Sequence, residues 1–165
     1  MGEKYTQYEG TKLWDLAREE ASDLEKDVPL EIFASDIDKD TIEIAVKNAQ
    51  IAGVGDAVRP KVLDVNDFSS DLKYGTVICN PPYGERLGDE ESVHKLYAQM
   101  GKTFKKLDKW SYYIMTSNEE FEKHFNKKAD KKRKIYNGML KCNIYQYFGQ
   151  RPPKITDKRG LEGNL

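Results

Sequence analysis

Apolar residues recur at helical spacing through residues 11–27, where Leu13, Trp14, Leu16, Ala17, Ala21 and Leu24 share one side. They predict an amphipathic helix that Val28-Pro29 ends. The compact run over 30–35 predicts a strand, with Asp36-Ile37-Asp38 at its exit. Ile42, Ala45, Val46 and Ala49 mark the inward face of a second helix over 39–52, closed by Gly53 and Gly55. Val58, Val62, Leu63 and Val65 predict a strand over 58–65, and a polar loop follows over 66–71. Residues 76–79 form a third apolar run. Val93, Leu96, Tyr97, Met100, Phe104 and Leu107 give the strongest helical stripe, over 92–107. A fourth strand is expected over 110–115. Ser117-Asn118-Glu119-Glu120 has the spacing of a capping box, so a helix burying Phe121 and Phe125 should start there. After a basic run over 127–134, two β-rich segments, 134–140 and 142–148, flank Lys141. The order α-β-α-β-β-α-β-α-β-β predicts an α/β fold, a mainly parallel sheet with an antiparallel pair added at one edge.

Composition narrows the class. At 165 residues the chain suffices for one core, and residues 1–154 read as one domain with a loose tail over 155–165. No apolar run is long enough to span a bilayer, and the start lacks the apolar segment of a secretory signal. Cys79 and Cys142 are the only cysteines and lack metal-ligand spacing, so a reduced, cytoplasmic protein without a metal is expected. Net charge is −1 but unevenly spread: residues 1–80 carry −8 and residues 81–165 carry +7. A polyanion could meet the second half, or the two faces could simply be solvated.

The stretch around residue 80 carries the most chemistry. The apolar run 76–79 stops at Asn80-Pro81-Pro82-Tyr83, because consecutive prolines cannot continue a ladder. The stop leaves an amide, a rigid turn and an aromatic at the carboxyl end of a strand, where open α/β sheets bind ligands. An ordinary strand-ending turn is the plainer alternative. Asp36 also ends a strand; it could accept bonds from a ligand or cap the helix that follows, a task open equally to Asp38 and Asp40. His94 and His124 fall on expected helices without partners and read as structural.

Taken together, Asn80-Pro81-Pro82-Tyr83, the acid in Ser35-Asp36-Ile37-Asp38 and a further acid at Asp67 resemble the class I methyltransferases that use S-adenosylmethionine. The longer string Asn80-Pro81-Pro82-Tyr83-Gly84-Glu85-Arg86-Leu87 resembles the THUMP-associated RNA guanine-N2 methyltransferases, whose bacterial members modify large-subunit ribosomal RNA. Lys131-Lys132-Arg133-Lys134-Ile135-Tyr136-Asn137-Gly138 and the segment from Tyr145 to Pro153 are similar to that family too, so the likeness covers about residues 12–154. It implies a Rossmann-like sheet, S-adenosylmethionine as cofactor and an RNA partner. Asp36 would hold the cofactor ribose and Ile37 its adenine. Asp67, or failing it Asp64, would take the adenine amine. Asn80 and Pro81 would accept N–H bonds from the base amine, leaving its lone pair to face the sulfonium methyl. Tyr83 would stack on the flipped base, with Pro82 stiffening the turn. Arg86, Lys131, Lys132, Arg133 and Lys134 would meet phosphate, and Glu85 the guanine edge.

One departure qualifies that expectation. The family begins its sheet with a central strand and a glycine-rich loop, preceded by an RNA-binding domain. Gly53 and Gly55 end a helix and do not replace that loop. The reading is therefore a partial class I domain lacking its first strand, a truncated portion with impaired or no activity alone, partnered by the missing N-terminal part. Adenine-N6 methylation of nucleic acid, which uses the same turn, and a non-catalytic RNA-binding remnant are the alternatives.

Overall fold

The computed structural model describes residues 8–25, 30–84 and 90–153. The tail over 155–165, Glu85, Arg86 and Leu87 lie outside them. The elements run α1 (Tyr8–Asp23), β1 (Ile32–Asp36), α2 (Lys39–Ile51), β2 (Val58–Val62), a 3-10 turn (Val65–Asp67), β3 (Thr76–Cys79), α3 (Glu90–Phe104), β4 (Ser111–Thr116), α4 (Phe121–Phe125), β5 (Lys131–Asn137) and β6 (Leu140–Tyr147). The chain divides into two compact units, Met1–Ala34 with Asp40–Lys61, and Ser35–Lys39 with Val62–Leu165.

The strands form two sheets, β1-β2 and β3-β4-β6-β5. The Ile32 N–H donates to Ala57 O at 2.8 Å and the Leu63 N–H donates to Asp36 O at 2.9 Å, so β1 and β2 run in the same direction. In the larger sheet β3 pairs β4 in parallel, with Thr76 opposite Ser111, while β6 is antiparallel to both β4 and β5. The parallel strands and the antiparallel edge pair are thus both present. Among the described residues no strand joins the two sheets.

The first unit is where the hydrophobic pattern was right about face and wrong about depth. Ile42, Ala45, Val46 and Ala49 are half-buried, as their spacing predicts, yet α2 buries no residue fully. Trp14 of α1 is 67% exposed and Phe33 of β1 is 62% exposed. Gly53 closes α2 at φ 72°: the Val54 N–H donates to Ala49 O and the Gly53 N–H to Gln50 O, the paired bonds of a Schellman cap. The glycines therefore end a helix, as read from the sequence.

The second unit holds the core. Val93, Tyr97, Met100, Phe104 and Leu107 bury one stripe of α3 and its exit against Tyr112 and Ile114 of β4, Tyr145 and Tyr147 of β6, and Phe121 and Phe125 of α4. Edge-to-face and tilted ring pairs run through it, including Tyr97–Phe121 at 4.9 Å and Phe121–Tyr145 at 4.8 Å. Gly101 lets α4 approach α3 closely, because a Cβ there would lie 2.2 Å from the Phe125 carbonyl oxygen. On β3, Val77 and Cys79 pack against this core, whereas Ile78, pointing to the other face, is 81% exposed.

Three local expectations need correction. The second strand stops at Val62; Val65 lies in the 3-10 turn, because Asp64 Oδ1 accepts the Asn66 backbone N–H at 2.8 Å and breaks the extended run. The capping box does not form. Asn118 Oδ1 accepts the Glu120 N–H at 2.9 Å, and α4 starts only at Phe121, although Phe121 and Phe125 are buried as predicted. The last hairpin turns at Gly138-Met139, not at Lys141. Gly138 supplies φ 61°, and the strand begins earlier than expected, at Lys131 within the basic run.

Candidate functional site

The site grows from the carboxyl end of β3. Pro81 is buried, Pro82 exposed and Tyr83 half-buried. Gly84 takes φ 79°, a conformation that any other residue here would adopt only under strain. The Tyr83 hydroxyl donates to Asn80 Oδ1 at 2.5 Å, so the turn folds its aromatic back on its amide. That bond occupies one lone pair of Oδ1 and leaves the second. Burial raises the Tyr83 hydroxyl pKa, and the Cys142 thiol adds to the rise; bonds to Asn80 and Asn137 oppose it. The phenol thus keeps its proton and remains a donor at neutral pH.

Beneath the turn runs a buried hydroxyl chain that sequence reasoning missed. The Tyr97 hydroxyl donates to Pro82 O at 2.8 Å and lies 3.0 Å from Thr116 Oγ1. Its single proton is committed to Pro82, so Thr116 donates to Tyr97, and Thr116 in turn accepts the Asn118 N–H at 3.1 Å. Tyr97 and Thr116 are both completely buried. The signal in the sequence was a tyrosine on the inward stripe of α3, where a hydroxyl needs a partner.

Asp36 ends β1, and Asp67 ends the 3-10 turn that follows β2. Asp36 Oδ1 accepts the Asp38 N–H at 2.9 Å, which fixes the carboxylate and leaves its other oxygen available to a ligand. Its backbone carbonyl receives Leu63, which ties it to the strand exit leading to the 3-10 turn. Asp64 is consumed locally, accepting both the backbone and side-chain N–H groups of Asn66. Asp67 is exposed, and its carboxylate has no partner among the described residues. Val65 and Phe68, on either side of it, pack against the core. Ile37 is 68% exposed, available to an apolar ligand and not part of the core. These groups suit a ligand with neighbouring hydroxyls and a flat heterocycle.

The basic candidates separate into two kinds. Lys132 Nζ lies 2.7 Å from Glu122 Oε2 and 5.6 Å over the Tyr145 ring, and Lys134 lies 5.9 Å over Tyr136. Lys131 and Arg133, two residues apart on β5, project to one side and have no acidic partner among the described residues. Arg86 lies outside the described residues. Cys79 is no nucleophile, since burial pushes its thiol up to about 12. A cavity of about 320 Å³ opens near Thr76, Ser111 and Gly149, at the opposite end of β3 and β4 from Asn80.

The RMKL-like methyltransferase domain matches residues 1–146. The chain belongs to this family. It is 47% identical over 146 residues to "Putative RNA methyltransferase YpsC" of Bacillus subtilis, covering 88% of this chain and 38% of that protein. It is 35% identical over 136 residues to "Ribosomal RNA large subunit methyltransferase K/L" of Legionella pneumophila, covering 82% of this chain and 19% of that protein. Among solved structures it matches SMU.472, "a putative methyltransferase complexed with SAH", at 45% identity and a TM-score of 0.77, over 86% of this chain and 38% of that one. The fold is therefore a class I methyltransferase fold present in part, and the chain spans well under half the length of these relatives.

Proposed function

We propose that this chain is the base-positioning portion of an S-adenosylmethionine-dependent RNA methyltransferase, acting in the cytoplasm on the N2 amine of a guanine in large-subunit ribosomal RNA. The observation that carries the reading is the turn at 80–83, an amide and an aromatic locked at the carboxyl end of β3 by hydrogen bonds from Tyr83 and Tyr97.

When bound, the cofactor supplies an electrophilic methyl group on positively charged sulfur. The residues of this chain do the positioning. The second lone pair of Asn80 Oδ1 and the Pro81 carbonyl accept the two N–H bonds of the base amine. This draws the nitrogen out of conjugation with the ring and frees its lone pair. No strongly perturbed general base is needed, so orientation supplies much of the rate. Tyr83 holds Asn80 through its hydroxyl and offers its ring face to the flipped base. Asp36 accepts the ribose hydroxyls, Ile37 covers the adenine and Asp67 accepts its amine. Lys131 and Arg133 bind phosphate.

The cofactor side is incomplete in this reading. Among the described residues β3 pairs with a strand on one side only, and its open edge supports a further strand of the longer enzyme, N-terminal by resemblance, that brings the glycine-rich loop. The test is chemical. The chain, completed with the corresponding N-terminal portion of a relative, is incubated with labelled cofactor and ribosomal RNA, and the RNA is digested to nucleosides. N2-methylguanosine is the expected product. N6-methyladenosine would replace this reading with the adenine alternative, and absence of any labelled nucleoside would favour the binding remnant.

A further inference from the structure

Away from the turn, α3 and α4 bring together three metal-ligating side chains. The His94 and His124 rings stack with centroids 3.6 Å apart and planes 7° from parallel. Each Nε2 is buried and has no hydrogen-bond partner among the described residues. Glu120 Oε2 lies 3.9 Å from His94 Nε2 and 3.7 Å from His124 Nε2. The three ligand atoms all fall within 4.8 Å of one another. The two histidines read as partnerless in the sequence are thus each other's neighbours.

The fold builds this arrangement. Glu120 immediately precedes α4 and His124 follows four residues later, so both fall on one face. The close approach at Gly101 holds that face against α3. Glu120 Oε1 is held by Lys123 at 2.8 Å, which leaves Oε2 for the histidines. Two buried ring nitrogens without partners are unfavourable, so something should occupy them. They cannot satisfy one another, because stacked rings direct their lone pairs side by side.

We propose that His94, Glu120 and His124 bind one divalent transition-metal ion, Zn²⁺ by the chemistry of the donors, and that the ion ties the start of α3 to α4. Two imidazoles and one carboxylate suit zinc and its neighbours, not magnesium or calcium, which take oxygen ligands. Bonds of about 2.0–2.1 Å in a tetrahedron place ligand atoms about 3.4 Å apart. The two histidine–carboxylate separations therefore contract by about 0.3–0.5 Å, and the third closes from a distance within 4.8 Å. One imidazole must also turn about its terminal torsion, which is a soft coordinate for histidine. The side chains are 20%, 23% and 52% exposed in the order His94, His124 and Glu120, which admits a water as fourth ligand. Tyr97, one turn beyond His94, carries the Pro82 turn, so the ion steadies the base site without touching it.

The experiment is calorimetry of the full chain with Zn²⁺, alongside Co²⁺ absorption. One ion per chain at micromolar Kd or tighter is expected, with visible Co²⁺ bands of four-coordinate intensity and no thiolate charge-transfer band. Glu120→Gln, an exposed and nearly isosteric change, should weaken binding at least about tenfold, and His124→Asn by more. Variants retaining the wild-type circular dichroism spectrum but binding Zn²⁺ unchanged would overturn the proposal. So would absence of stoichiometric binding, including the case in which protonation alone alters the histidines.

Discussion

Replacing Tyr97 with Phe removes one oxygen from the centre of a buried relay and changes almost nothing else. The relay runs from the Asn118 N–H through Thr116 Oγ1 and Tyr97 Oη to Pro82 O, with separations of 3.1, 3.0 and 2.8 Å. The substitution breaks two of these bonds, each worth about 0.5–1.5 kcal/mol net. It also strands the Pro82 carbonyl, with a desolvation cost of about 1–3 kcal/mol unless the exposed turn shifts to find water. Together these give a loss of about 2–6 kcal/mol, or about 1–3 kcal/mol where the turn finds water. Urea unfolding of the chain, followed by circular dichroism, reads it directly. Thr116→Val breaks the same relay from the other side, so the double variant should fall short of additivity by about 1 kcal/mol. A Tyr97→Phe loss below about 0.5 kcal/mol, or full additivity with Thr116→Val, would refute the directional chain of donors.

Three further outcomes follow from the same geometry. Burial raises the Glu122 carboxyl, but Lys132 and the Ala129 N–H outweigh it and hold the group below its ordinary value of 4.5. Its stabilisation is therefore present above that value and lost as pH falls through the depressed folded-state value; Glu122→Gln should cost about 1.5 kcal/mol at pH 7 and flatten the acid limb of the stability curve. Alanine at both Lys131 and Arg133 should reduce the salt dependence of RNA binding by about 1.4–1.8 in log–log slope, measured by anisotropy across salt concentrations. An unchanged slope would remove these two residues from the interface. The chain by itself should bind S-adenosylmethionine weakly or not at all, and calorimetry giving a micromolar Kd would contradict an incomplete cofactor site.

What the sequence disclosed depended on the kind of signal. The stripe from Val93 to Leu107 is long and strictly periodic, and it is the buried face of α3 and its exit. The run 76–79 ended where two prolines forced it to end, so β3 was placed without error. Periodicity could not report depth: the stripe on α1 has helical spacing, yet Leu13, Trp14 and Leu16 face solvent among the described residues. Side-chain competition with the backbone was also invisible. Asp64 and Asn118 each redirected a neighbouring N–H, which shortened a strand and removed a capping box. Of the site, Asn80 and Tyr83 were legible because their motif is contiguous. Tyr97, Thr116 and the pairing of His94 with His124 were not, since each contact joins residues distant in sequence. Family resemblance supplied the roles proposed for Asp36 and Asp67, which periodicity alone left open.

The measurement closest to the central claim separates catalysis from cofactor binding in one variant. Asn80→Ala in the completed enzyme should lower kcat for methyl transfer to RNA by at least about a hundredfold, as expected when a positioning contact at the reacting atom is lost. Its affinity for S-adenosylmethionine, read by calorimetry on the same preparation, should stay within about twofold of the parent. Turnover unchanged with the alanine in place would contradict the account, because the turn at 80–83 would then not be holding the base.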